Sequence, residues 1–127
     1  MPLGYERDDA RRRIVSIGEG PFSADDVIGF FERMRSDGTW EYGALYEMLR
    51  MTGRPSVDDL RRIMEGAAAP GPKGEHAGPM AVVAADPALY GTACAYAAMG
   101  PPGQFSVFSD RAEAEEWLTE HTRFPPA

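Results

Sequence analysis

Carboxylates are the most numerous chemically capable groups in this chain, and they come in adjacent pairs: Asp8-Asp9, Asp25-Asp26, Asp58-Asp59 and Glu115-Glu116. Two carboxylates held close can divide general acid and general base work between them. Three of these pairs fall on helix starts or polar helix faces, where a charged carboxylate stays solvated. Glu47 stands apart, because it sits inside an apolar run, Leu45-Tyr46-Glu47-Met48-Leu49. A carboxylate buried there requires a cationic partner. Arg50 and Arg54 are the nearest in sequence, and the three together are candidate polar residues of a ligand site. The alternative is that Glu47 points off an exposed edge strand.

Other chemistries find less support. The two histidines, His76 and His121, are far apart in the chain, and a tetrahedral metal site needs three or four ligands. No metal and no cofactor is expected. Cys94, the single cysteine, excludes an internal disulfide. In Thr92-Ala93-Cys94-Ala95 it reads as a buried structural thiol, without the basic neighbour a nucleophile needs. There is no Gly-x-Ser-x-Gly elbow. Pro70-Gly71-Pro72-Lys73-Gly74 lacks phosphate-loop spacing, and its prolines remove amide donors. No catalytic residue is assigned, and the chain is not expected to be an enzyme.

The elements that would position these residues are legible from periodicity and caps. Residues 1–10 are a flexible N-terminus or a short edge strand. Ile14-Val15-Ser16-Ile17, β-branched and closed by Gly18 and Gly20, predicts a strand. Ser23 and Asp26 form a capping pattern, with Phe22 and Val27 as its hydrophobic staple. Val27, Phe30, Phe31 and Met34 then share one helical face. Residues 43–51 have helical propensity but lie between two helices, and a buried strand is the better reading. Ser56 and Asp59 start a second helix, with Val57, Leu60, Ile63, Met64 and Ala67 on its apolar side. A glycine- and proline-rich loop spans 70–79. Met80-Ala81-Val82-Val83-Ala84 predicts a strand. Asp86 then caps a helix that begins at Pro87, with Leu89, Ala93, Tyr96 and Ala97 on it. Gln104–Phe108 predicts a further strand. Asp110 with Glu113 starts a last helix that places Ala114, Trp117, Leu118 and His121 on one face.

Strands and helices therefore alternate, which predicts a single α/β domain over 11–121 with a four- to five-stranded, mostly parallel or mixed sheet. A flexible tail is expected over 122–127. The 127 residues suit one domain, and 43% hydrophobic residues supply a core. The net charge of −7 disfavours phosphate backbones and anionic bilayers, so neither nucleic acid nor membrane insertion is expected. The N-terminus lacks the apolar segment of a secretion signal, which makes the cytoplasm the expected location.

From Ile14 to Leu118 the chain resembles the STAS-like superfamily, and more narrowly the stand-alone bacterial SpoIIAA-like domains related to anti-sigma-factor antagonists. Four stretches carry the likeness: Ile14–Ser23, Leu45–Arg50, Ala81–Pro87 with Leu89-Tyr90-Gly91, and Val107–Asp110 with Glu113–Leu118. An aspartate is commoner in that group where this chain has Glu47. The resemblance implies a largely non-catalytic domain that binds proteins, and in some relatives nucleotides or lipids. It also implies a switch position at the turn Met51-Thr52-Gly53-Arg54-Pro55-Ser56, although the Asp-Ser-Ser-Gly-like motif of the phosphorylated members is absent. Ser56, with Thr52 before it, is the candidate phospho-acceptor; the plainer reading is a helix cap. Trp40, in Gly-Thr-Trp-Glu-Tyr-Gly, is a candidate interface anchor if exposed.

Two functions follow as expectations. The first is a regulatory binding domain whose partner is another protein or a second copy, docking on a sheet edge or on helix 56–69. The second is a carrier of an apolar small molecule or lipid between helices and sheet. Its motive is the methionine- and aromatic-rich helix 24–36, with the 70–79 loop as a lid; Tyr42, Tyr46, Tyr90 and Tyr96 could line a pocket with Phe30 and Phe31, although core packing explains them equally.

Overall fold

The computed structural model describes residues 2–100 and 103–124. Five strands form one sheet in the order β1-β2-β3-β4-β5: Pro2–Asp8, Arg13–Pro21, Gly43–Thr52, Met80–Ala84 and Phe105–Phe108. β1 runs antiparallel to β2, and the other pairs are parallel. Of the N-terminal segment, Pro2–Asp8 thus supply an edge strand. The segment 43–51 is extended, as the sequence predicts. From Gly43 to Met48 it is covered on both faces, and β4 is buried at every position, so neither alternates there as a half-exposed strand would.

The strand order explains where the helices lie. α1 (Ala24–Ser36), α2 (Val57–Ala68) and α3 (Pro87–Ala98) are successive crossovers that each step one strand in the same direction. With one handedness, such steps put all three helices on one face. Ile14, Tyr46, Met48, Met80 and Val82 point there and meet Phe30, Phe31, Ile63 and Leu89 in the larger core. α4 (Arg111–His121) follows β5 and covers the other face, where Val15, Leu45, Ala81 and Val83 meet Ala114 and Leu118. Arg13, 5% exposed, reaches under α4 and donates to the Glu115 carbonyl and to Thr119 Oγ1. Burial lowers its pKa.

A register shift between β2 and β3 sets two residues of β3 against one of β2 past Ile17 and Glu47. It restores Met51 to the three-helix face, where a Cβ on Gly18 would fall 2.5 Å from the Met51 sulfur.

The helix starts match the caps read from the sequence. Ser23 accepts from the Asp26 amide at 3.3 Å, Asp86 from Leu89 at 3.2 Å, and Asp110 from Ala112 at 2.9 Å. At α2 the capping box is complete. Thr122, expected to open a flexible tail, is buried and donates from its hydroxyl to the Leu118 carbonyl at 2.6 Å, tying it to the end of α4. Residues 125–127 lie outside the described residues.

Candidate functional site

The polar residues singled out in the sequence do not converge. Glu47 does not pair with Arg50 or Arg54. Its carboxylate receives Arg111 Nη1 at 2.9 Å, across the interface with α4. β3 points Glu47 towards α4, whereas the register shift beyond it leaves Arg50 exposed beside Glu19, at 3.8 Å, and Arg54 lies exposed in the following turn. Sequence proximity misleads here because the true partner lies on the helix across the sheet. Thr52 and Ser56 are both exposed. The Ser56 hydroxyl accepts from the Asp59 amide at 3.0 Å, and its own amide donates to Asp59 Oδ2 at 2.9 Å.

Trp40 is at the opposite end of β3 and is 3% exposed, which removes the exposure an interface anchor requires. Its indole meets the Phe31 ring edge-on at 5.6 Å and lies under the Arg35 guanidinium at 4.0 Å. Arg35 in turn donates to the Gly66 and Ala69 carbonyls, so a cation of α1 caps the end of α2, whose own last turn has no basic residue. Cys94 is also misplaced by the sequence reading. It is exposed, on the solvent side of α3 with Tyr90, Gly91, Ala95 and Ala98, since α3 buries only Leu89 fully.

The tyrosines likewise scatter. Tyr46 is buried edge-on against Phe30 at 5.5 Å, and Tyr42 donates to Asp9 at 2.7 Å. Tyr90 is exposed. Only Tyr96 reaches the concave site described next. The 70–79 loop is no lid for that site, since it packs at the other end of the sheet, where the Gly78 amide donates to the Trp40 carbonyl at 2.9 Å. His76 and His121 do line one surface cleft with Glu41 and Glu75. His121 Nδ1 is 2.8 Å from the Trp117 carbonyl, and its ring stacks on Trp117 at 4.5 Å. No group of three or more metal-ligating side chains occurs among the described residues.

An apolar crevice lies between α2 and α3, floored by the sheet. Met48, Met80, Val82 and Phe105 form the floor, and Phe22 and Val27 close the end nearest α1. Pro55, Leu60 and Ile63 form the α2 wall; Leu89, Ala93 and Tyr96 form the α3 wall. Its cavity volume is about 50 Å³. An apolar cavity of ~150 Å³ holds a benzene ring, so the closed crevice has room for only about two or three carbons.

The crevice exists because neither bounding helix is fully covered. Gly66 lets α2 lie close to α1, since a Cβ there would be 3.3 Å from the Phe31 ring. At ~100° per residue, Val57 and Met64 fall on the flank turned away from α1. They are not buried as the sequence pattern predicts: Val57 is 86% exposed and Met64 38%. The signal that could have located the site was the pairing of this half-covered helix with an uncharged one, Pro87–Ala98. Tyr96 stacks on Phe105 at 4.6 Å, and burial raises its hydroxyl pKa. The arrangement offers no nucleophile and no acid–base pair among the lining residues; it can bury an apolar group.

No protein-family model matches the sequence, and no curated protein matches it. Among solved structures, the chain is similar to a crystal structure of an uncharacterized DUF3478-family protein with a SpoIIAA-like fold from Shewanella loihica PV-4. The similarity covers 91% of this chain and 90% of that one, with a TM-score of 0.57 and 18% sequence identity. The fold is SpoIIAA-like. The mixed five-stranded sheet and four helices agree with the resemblance read from the sequence. At this identity the SpoIIAA-like likeness speaks for architecture and not for a role. No helix among the described residues is long and apolar enough to cross a membrane.

Proposed function

We propose that this SpoIIAA-like chain is a non-enzymatic binding domain, cytoplasmic, whose ligand is an apolar small molecule or lipid chain taken between α2 and α3. The observation that carries the reading is the crevice itself: twelve side chains from the sheet, three helices and two connections line it, and none bears a charge. Burial of apolar surface yields about 25 cal/mol per Å², and a ligand of ten or so carbons would be admitted by separation of α2 and α3, neither of which is fully covered. Titration of the purified protein with the uncharged fluorophore N-phenyl-1-naphthylamine, alongside native mass spectrometry, tests it. Saturable enhancement and a ligand-shifted mass support the reading. A flat titration with a clean apo mass overturns it.

A second reading is a docking site for another protein, as the fold resemblance implies. It is favoured by the apolar residues left exposed, Val57 and Met64 on α2, Tyr90 in the first turn of α3 and Met99 at its C-cap. Replacing Val57 and Met64 by serine would then abolish capture of a partner while leaving fluorophore binding within twofold. Loss of both, or of neither, counts against a protein partner at this surface.

A further inference from the structure

Resting on the crevice reading above, we infer that the ligand is electrically neutral, an uncharged aliphatic or aromatic molecule in preference to a carboxylate-bearing one. The inference concerns the charges around the site. No cationic or anionic side chain lines the crevice among the described residues. The cations on the flanking helices are already engaged. Arg61 holds Asp58 at 2.5 Å and Glu65 at 2.9 Å. Arg62 holds Asp25 at 2.5 Å, and Arg35 is bound to the carbonyls at the end of α2.

The acids are engaged as well. Asp59 accepts from the Ser56 amide, and Asp86 accepts from Leu89 as the cap of α3. These two caps neutralise the amide-rich helix starts that would otherwise attract an anion. A charged headgroup drawn to the mouth would lose hydration without gaining a counter-charge. The net charge of −7 weighs further against an anion. Arg54, next to Pro55 of the wall, is exposed, and a pair formed there in solvent adds at most about fivefold to affinity.

The experiment is competition against bound N-phenyl-1-naphthylamine at pH 8, using 1-decanol, decanoate and decyltrimethylammonium below their aggregation concentrations. Decanol is expected to displace the fluorophore at a concentration at least tenfold lower than either ion. To separate the site's preference from the solubility of the alcohol, the series is repeated with Met64→Lys. This substitution places one cation on the exposed lip of α2, at a position that tolerates charge. Decanoate should then gain about two- to fivefold, the range of a solvent-exposed ion pair, while decanol stays unchanged. Decanoate or decyltrimethylammonium within threefold of decanol on the unmodified protein overturns the inference and leaves the crevice standing as a site. An unchanged decanoate affinity in Met64→Lys overturns it too, because the selectivity would then arise in bulk solvent. Failure of the fluorophore and of all three competitors to bind removes the crevice reading itself.

Discussion

Glu47 Oε2 and Arg111 Nη1 meet at 2.9 Å, joining the middle of β3 to the first residue of α4. Glu47 is well shielded, its side chain 14% exposed, and Arg111 lies at the rim with 35%. The bridge fixes where α4 begins on a face that has no other helix. Arg111→Ala would strand a half-buried carboxylate, and unsatisfied groups of that kind cost about 1–3 kcal/mol. Adding Glu47→Leu should restore most of the loss, because the shielded position then packs on the face of the sheet that holds Val15 and Leu45. Urea midpoints of the single and double variants check this. Equal destabilisation by both variants would show that the ion pair is not the source.

Alkaline pH should expose a second buried group. Tyr46 is fully buried, its hydroxyl has no hydrogen-bond partner among the described residues, and desolvation pushes its pKa up to about 12. The unfolded chain titrates near 10. Between these values the unfolded state has already released the proton that the folded state retains, so stability falls as pH rises from about 10 to 12. At ~1.4 kcal/mol per pKa unit, the loss approaches 2–3 kcal/mol. Tyr46→Phe should be as stable as the parent at pH 7 and should lose less stability over that window. Tyr5, Tyr42 and Tyr96 are also raised, so some of the slope should persist. A slope identical to the parent's would refute the assignment to Tyr46.

Two glycines should respond in opposite directions to alanine. A Cβ at Gly78 would lie 2.3 Å from the Glu41 carbonyl oxygen and 2.4 Å from that of Tyr42. Both are backbone atoms at the base of β3, and neither can swing aside. Gly78→Ala should lose more than ~2 kcal/mol, in the range of overpacked sites. At Gly91, inside α3, nothing lies within 4 Å of the added carbon. There alanine should gain about 0.5–1 kcal/mol through helix propensity. Thermal melts of the two variants decide, and a stable Gly78→Ala would contradict the described contact between the 70–79 loop and β3.

These contrasts mark what was legible beforehand. The caps at Ser23, Ser56, Asp86 and Asp110 and the buried strands are local or periodic features, and the sequence carries them directly. The extended state of Leu45–Leu49 could be read against its helical propensity only because helices flank it. The partner of Glu47 lies 64 residues away, and no spacing rule reaches that far. Trp40 was misread because its loop is polar, while its indole is covered by Phe31 and Arg35 from α1. The apolar faces of α2 and α3 were visible; that they stand apart and leave a crevice is a matter of helix placement, which periodicity does not encode.

The exposure of Cys94 is checked with a disulfide reagent. A thiol on the solvent side of α3 should react fully in the native protein, without denaturant, since reactivity needs access as well as thiolate. One equivalent of thiolate released in native buffer is the expected result. A thiol that reacts only in guanidinium would mean that α3 turns the side carrying Cys94 inward, and the crevice wall would then be drawn from the wrong residues.

The crevice itself can be filled from within. Ala93 lines it on α3 and faces Phe105 and Met80 across the floor. Ala93→Leu adds three carbons to a cavity of about 50 Å³, close to what that volume holds. Filling a void recovers dispersion contacts, while the change in helix propensity from alanine to leucine is small. Tm should therefore hold or rise by a few degrees, and affinity for N-phenyl-1-naphthylamine should fall at least tenfold. A fall in Tm would show that the walls are already in contact and the void is closed by Met48 or Tyr96. Undiminished fluorophore binding in a well-folded Ala93→Leu would place the apolar site elsewhere, with the exposed flank of Val57 and Met64 the next surface to substitute.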